Sequence, residues 1–188
     1  MRTIIAVCLF LLSVMPASAR NVAGVTVAET VEGASGVTLS LNGAGIRSKL
    51  FFKIYIAELY LENPAAEAST IIADEGQKRM VMHFLYDEVS KDKLVAAWDD
   101  GFKGNLSENK RMELASKIDE FNQMFATVKK GDNIVLDYVP GTGTQVIVAD
   151  QNKGFVEGKD FSDALFAIWL GEKPVTKDLK KALLAYNK

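Results

Sequence analysis

Arg47 stands where a run of small residues, Gly43-Ala44-Gly45, gives way to a long apolar run that carries Tyr55 and Tyr60. A guanidinium is always charged and is a poor interior group unless an anion or strong acceptors meet it. Nearby glycines let a backbone or a ligand come close. The combination suggests a pocket with a cationic anchor. An arginine at a surface turn fits the same residues, and the two readings stand side by side.

Other chemistry is largely excluded. Gly43-Ala44-Gly45 lacks the third glycine of a dinucleotide loop and the Lys-Ser pair of a phosphate loop. His83 is the only histidine, and no nucleophile-elbow sequence flanks any serine. A histidine in mid-strand reads as a packed or edge residue. Asp87-Glu88 and Asp99-Asp100 are sequence neighbours whose side chains point apart, so they read as solvated charges. No cluster has metal-ligand spacing, and no metal or cofactor is expected. Trp98 and Trp169 fit helical core faces.

The chain has 188 residues, 48% of them hydrophobic, and a formal net charge of −2. It lacks a basic stripe with interleaved aromatics, so a nucleic-acid partner is not expected. Residues 1–19 read as an export address. Arg2 gives the positive start, Ile4 to Val14 the short apolar core, and Ala17-Ser18-Ala19 the small-residue cleavage pattern. That apolar run is too short to span a bilayer comfortably, and nothing later approaches the length. The expected mature protein is a single domain, residues 20–188, secreted and periplasmic. The only cysteine, Cys8, lies in the address. The mature domain therefore has no thiol and must rest on its hydrophobic core, which its length allows.

Positioning Arg47 falls to a pattern of strands, helices, strands and helices. Strands are expected over Val25–Val31, Val37–Leu41, Leu50–Leu61 and Arg79–Tyr86. In the third, Leu50, Phe52, Ile54 and Ile56 give the cleaner core face, and Phe51, Lys53, Tyr55, Ala57 and Leu59 the mixed one. Ala65–Ala73 reads as a short helix. Ser90 caps a helix through Phe102, and Ser107 caps the next. Leu114, Ile118, Phe121, Phe125 and Val128 continue that helix at helical spacing, to an end at Lys129-Lys130-Gly131. Strands follow over Ile134–Val139 and Gln145–Ala149, with Phe155-Val156 a short one. Asp160 or Ser162 opens a helix to Leu170, and Thr176 caps a last one. This order indicates α+β with a largely antiparallel sheet.

Three segments, in this order, resemble the chalcone isomerase-like family and its exported bacterial branch. They are GAGIRSK with FFKIYIAELYLE, MVMHFLYDEVSKDKLVAAWDDGF, and FSDALFAIWLGEKPVTKDLKKALL. The resemblance implies an open-faced β-sandwich: a large antiparallel sheet with helices layered on one face and a ligand cleft between. In the family's isomerases an arginine anchors a flavonoid oxygen. In its fatty-acid binders the corresponding arginine, with a tyrosine, holds the carboxylate. Arg47 falls on that arginine and Tyr55 on that tyrosine, where the isomerases have a threonine. The isomerases' tyrosine and asparagine on the helix around Val89 to Trp98 have no counterpart, and a later threonine falls near Ile168. The arginine is kept and the rest of the polar catalytic set is not, which weighs against flavonoid cyclisation.

The preferred expectation is an exported, non-catalytic binder of a fatty acid or similar apolar carboxylate. An arginine fork and a phenol can together satisfy a carboxylate. Phe51, Phe52, Leu59, Leu94, Trp98 and Ile168 are the candidate lining of an acyl cleft. One alternative is an isomerase, an intramolecular lyase on a phenolic or enone substrate, with Arg47 at the developing oxyanion and Tyr55 relaying a proton. Another is an envelope interaction protein without ligand, its protein partner undefined. Geometry sets a condition. On one unbroken strand Arg47 and Tyr55 would be about 26 Å apart, so the chain has to turn between them, around Ser48-Lys49.

Overall fold

A computed structural model describes residues 19–186. The expected export address lies outside these residues except for Ala19. In chain order the strands and helices are β1 (Ala19–Val22), β2 (Val25–Ala28), β3 (Thr30–Glu32), β4 (Thr38–Lys49), β5 (Phe52–Leu61), α1 (Ala68–Ala73), β6 (Lys78–Phe84), β7 (Glu88–Val89), α2 (Lys91–Asn105), α3 (Glu108–Glu113), α4 (Ala115–Gln123), β8 (Val128–Lys129), β9 (Asn133–Val139), β10 (Gly143–Val148), β11 (Gln151–Val156), α5 (Lys159–Leu170) and α6 (Lys177–Leu183). Seven strands form one antiparallel sheet in the order β11-β10-β9-β6-β5-β4-β3. β1–β2 and β7–β8 are separate two-stranded ribbons. The expected α+β architecture, with helices on one face of a large antiparallel sheet, is the one observed.

Strand alternation decides which side chains meet the helices. On β6, Met80, Met82 and Phe84 are buried toward them while Val81 and His83 face away. The inner faces of β5, β6, β9 and β10 pack with α2, α4, α5 and α6 in one core. A smaller cluster of Val27, Leu39, Leu41 and Tyr60 occupies the outer face. The β1–β2 ribbon supplies Val27, and its Ala28 carbonyl accepts a hydrogen bond from the Tyr60 hydroxyl at 3.1 Å.

On β5 the structure reverses the expected faces. Tyr55, Ala57, Leu59 and Leu61 form the inner face. The even-numbered face buries Ile56, Glu58 and Tyr60 on the other side, and Phe52 is largely exposed. Both faces of β5 are buried, so apolar content alone does not single out the inner one; the neighbouring strand carries a bulge. Leu41 pairs with Tyr60 and Gly43 with Leu59, leaving Asn42 as the extra residue of β4. A bulge flips the alternation that follows it. Leu39 and Leu41 face the outer cluster, whereas Gly43, Gly45 and Arg47 face the helices. Asn42 is buried and holds the bulge in place: its amide nitrogen donates to the Leu183 carbonyl at 2.8 Å, and its oxygen accepts from the Ala65 nitrogen at 2.9 Å.

Local capping works as expected at Ser90, Ser107 and Thr176, whose hydroxyls accept from the backbone of Lys93, Lys110 and Leu179. Three expectations are corrected. The strand over Val25–Val31 breaks at Glu29, because β2 pairs with β1 and β3 with β4. The long helix ending near Gly131 is two, α3 and α4, and it stops at Gln123. Val128 instead lies in β8 and pairs with Val89; burial on either element satisfies the same apolar spacing. Ser162 is a buried residue inside α5, whose N-cap is Gly158.

Candidate functional site

The turn between β4 and β5 lies at Leu50-Phe51, two residues beyond the expected place. The hairpin satisfies the geometric condition: Arg47 and Tyr55 are direct cross-strand partners. Beyond that pair the register shifts, and Ile54 is the extra residue of β5. The Ile54 carbonyl accepts from both Leu85 and Tyr86 nitrogens, at 2.9 and 3.1 Å. Arg47 and Tyr55 thus sit side by side on the inner face, with Phe84 of β6 opposite Tyr55.

The glycines ahead of Arg47 have a structural task. A Cβ on Gly43 would lie 2.2 Å from the Ala182 carbonyl oxygen, and one on Gly45 would lie 2.7 Å from the Ala182 Cβ. The close approach that these residues permit is that of α6 on β4, not that of a ligand. Arg47 is the next inner-face residue, and there a cavity opens.

The cavity has a volume of about 600 Å³, within the usual range of ligand pockets, about 300–1,000 Å³. Its floor is Arg47, Tyr55, Met82 and Phe84 of the sheet. Its roof is Leu94, Ala97, Trp98 and Gly101 of α2 with Ile168 of α5. Gly101 lets the two helices touch, since a Cβ there would meet Ile168 carbons at 2.9 Å. Pro174 and Val175 close one side. The exposed charged residues Lys49, Glu88, Lys93, Asp100 and Lys173 lie around the rim, with Leu50 and Phe52 beside them.

Three polar groups are found deeper in. The Arg47 guanidinium carbon lies 5.6 Å from the Tyr55 ring centroid. Among the described residues no hydrogen bond or ion pair engages that guanidinium. Tyr55 is buried, and its hydroxyl oxygen accepts from the Trp169 indole nitrogen at 3.1 Å. That leaves the phenol proton free to donate. Burial pushes the Tyr55 pKa up, against a smaller opposing effect of the Arg47 charge, so the group is a neutral donor at ordinary pH. Trp98, packed against Trp169 at 5.8 Å, carries a buried indole N–H with no partner among the described residues. A positive charge and a phenol proton on the floor of an apolar recess are equipped to receive an oxyanion.

Comparisons with known proteins identify the family and the fold. Residues 19–185 match the family model described as chalcone isomerase-like. The chain belongs to the chalcone isomerase-like family. Among solved structures, a fatty-acid binding protein of Arabidopsis thaliana shares the fold, with a TM-score of 0.58 at 15% sequence identity, covering 83% of this chain and 96% of that one. A search of curated proteins finds no match.

Of the residues singled out in this chalcone isomerase-like chain, Arg47, Tyr55, Leu94, Trp98 and Ile168 come together around the one cavity. Phe51 does not, because it is 98% exposed at the hairpin tip. Leu59 is fully buried two pairs beyond Tyr55 along the inner face, within the packed core. Sequence reasoning did not reach Met82, Phe84 and Gly101, nor the rim residues Lys93 and Lys173. The alternation on β6 marked Met82 and Phe84 as inward-facing, but only the tertiary packing separates cavity from core. His83 hydrogen-bonds Asn133 at 2.8 Å on the outer face, away from the site. No helix among the described residues is long and apolar enough to cross a membrane.

Proposed function

We propose that this protein is an exported carrier of a fatty acid or a similar apolar carboxylate, and that it is not an enzyme. The observation that carries this reading is the half-buried Arg47 guanidinium. Among the described residues it has no anion to meet it, and it sits beside a phenol whose only described hydrogen bond is one it accepts. A carboxylate placed there takes up the arginine fork and the Tyr55 proton. Its chain then runs along Met82, Phe84, Leu94 and Ile168. Each methylene so buried contributes about 0.8 kcal/mol. The fatty-acid binding of the Arabidopsis neighbour supports the ligand class. Export to the periplasm rests on the sequence of the expected address, Arg2, the apolar run Ile4 to Val14 and Ala17-Ser18-Ala19.

Lipid extraction and mass spectrometry of the purified protein test the reading. The expected result is a co-purified long-chain carboxylic acid that disappears in Arg47→Ala while the variant remains folded. An equal yield of acid from both proteins, or neutral lipids alone, would overturn it. The isomerase alternative predicts cyclisation of a chalcone above the uncatalysed rate, also dependent on Arg47. The buried residues around that arginine favour holding over turnover: apart from Tyr55 and Trp98 they are apolar, and the only carboxylates on the cavity wall are the exposed Glu88 and Asp100.

A further inference from the structure

The tip of the β4–β5 hairpin is unlike the rest of the surface. Leu50 is 85% exposed, Phe51 98% and Phe52 55%. Among the described residues the other large exposed apolar side chains are Met112 and Phe155, far apart in sequence. Scattered apolar residues are ordinary on a surface, but three in succession at a projecting turn are not. The turn is also built against local preference. Leu50 has φ +56°, a conformation for which glycine, asparagine or aspartate is the usual occupant of a tight hairpin. A branched apolar residue held there at a conformational cost points to a use for its side chain.

The flanks match one kind of partner. Lys49 and Lys53 bracket the apolar triad and are both exposed. Lys93 and Lys173 stand on the far rim of the same opening, so lysines outnumber the rim's Glu88 and Asp100. Tyr86 backs Phe52 edge-on, with ring centroids 5.6 Å apart, and tyrosine is a residue of membrane–water interfaces. A convex apolar tip needs a shaped receptor to dock on a protein, whereas a bilayer accepts it anywhere. Lysine stems can lie along the acyl region while their ammonium groups reach phosphate.

We propose that this hairpin tip is a membrane-docking finger. Leu50, Phe51 and Phe52 enter the acyl region of an anionic bilayer, and Lys49 and Lys53 meet its headgroups. The position of the tip gives the docking a purpose. Lys49, Leu50 and Phe52 are themselves part of the cavity wall, so docking sets the mouth of the cavity on the lipid surface. A fatty acid that crosses open water is slowed about fourfold for each methylene it exposes; a mouth seated on the bilayer removes that step. The transfer role rests on the carrier reading above, while the docking itself rests on the tip.

Vesicles of equal parts phosphatidylcholine and phosphatidylglycerol, the former brominated on its acyl chains, test the proposal with the full chain. The added indole of Phe51→Trp is expected to be quenched on mixing. Lys53→Glu in that background is expected to weaken the quenching on these vesicles but not on pure phosphatidylcholine. Phe51→Asp is expected to slow transfer of a fluorescent fatty acid from vesicles by at least about tenfold. Its equilibrium affinity for the same probe in vesicle-free solution should not change, because Phe51 does not line the cavity. An indole that stays unquenched while the protein sediments with vesicles overturns the proposal, since binding then occurs elsewhere. So does a tip whose Phe51→Asp substitution instead dissolves a dimer or a protein complex. Quenching by a protein that takes up no fatty acid sinks the carrier reading and leaves the docking surface standing.

Discussion

The two halves of the β4–β5 hairpin share strands, pairing and face, yet one is sealed and the other open. In the sealed half Gly43 and Gly45 present bare backbone, and α6 rests on it. In the open half Arg47 and Tyr55 present long polar side chains, α6 does not reach them, and the cavity lies beside them. The alternation Gly-x-Gly-x-Arg therefore encodes a boundary between packing and binding. What differs is the size of the side chain at each inner-face step. Absence of a Cβ admits a helix; a charged stem leaves the helix layer no way to close.

Filling the sealed half should have the largest effect. Gly43→Ala puts a methyl group against the Ala182 and Leu183 backbone, with contacts of 2.2 and 2.6 Å to their carbonyl oxygens. Backbone cannot rotate away, so α6 must shift, at a cost of about 3 kcal/mol. Gly45→Ala meets side-chain atoms, Ala182 Cβ and Leu179 Cδ1, and should cost about half as much. Urea denaturation of the two variants measures both. Equal losses would show that α6 moves as a rigid piece and that the distinction between backbone and side-chain contacts is wrong.

Emptying the open half should leave stability nearly intact and remove binding. Arg47 contributes its contact with the Tyr55 ring, and at such a half-exposed site the loss in Arg47→Ala should stay below about 1 kcal/mol. Loss of a charge-assisted carboxylate contact should cost about 2–3 kcal/mol of affinity, roughly 30- to 150-fold. Titration with a fatty acid and with its methyl ester sharpens the comparison. The wild-type protein should prefer the acid, and Arg47→Ala should not distinguish the two. A variant that unfolds would place Arg47 in the packed half of the hairpin.

What could be read in the sequence follows the range of each interaction. Ser90, Ser107 and Thr176 were legible as caps because each bonds backbone three residues on. The strand sequence of the sheet was largely legible because alternation is local. The faces of β5 were not, because both are buried and apolar content does not separate them; those of β4 depend on the bulge at Asn42, whose amide is held by Leu183 at the far end of the described chain. Val128 kept helical spacing but joined a ribbon, since its partner Val89 is set by the hairpin-like approach of distant segments. At the site, the resemblance pointed to Arg47 and Tyr55, but only the turn at Leu50-Phe51 makes them neighbours. Phe51 was expected in the lining because its apolar side chain suits an acyl cleft; two residues of turn placement put it outside, at the hairpin tip.

A smaller effect is expected from the phenol. Tyr55→Phe removes the hydroxyl that accepts from Trp169 and leaves that buried indole N–H unpaired, at a cost of about 1 kcal/mol or somewhat more. It also removes one donor to the carboxylate, a loss of about fivefold to tenfold in affinity. Thermal denaturation and ligand titration of the same variant read the two effects separately. Lost affinity with unchanged stability would mean that Trp169 finds another acceptor. Lost stability with unchanged affinity would remove Tyr55 from the head-group site and leave the open half to Arg47 alone.

The smallest effect lies across the sheet, where Glu58 shows that burial of a polar pair need not mark a site. Its Oε2 lies 2.9 Å from the Tyr60 hydroxyl, whose single proton is shared with the Ala28 carbonyl. Burial raises its pKa from the ordinary 4.5, partly offset by that hydrogen bond and by His83. A carboxyl with a raised native pKa binds more protons folded than unfolded. Stability then falls as pH rises from the ordinary value through the raised one, and the loss is complete above it. Glu58→Gln keeps an acceptor for Tyr60 and removes the charge. It should therefore raise the midpoint of thermal unfolding at pH 7, and the gain should fade toward pH 4. Fatty-acid affinity should stay at the wild-type value at both pH values, because the Glu58 side chain lies on the opposite face from the cavity. A change in affinity that tracks the titration of Glu58 would mean that the two faces of β5 communicate, and the open half of the hairpin could no longer be treated as a site built by its inner-face residues alone.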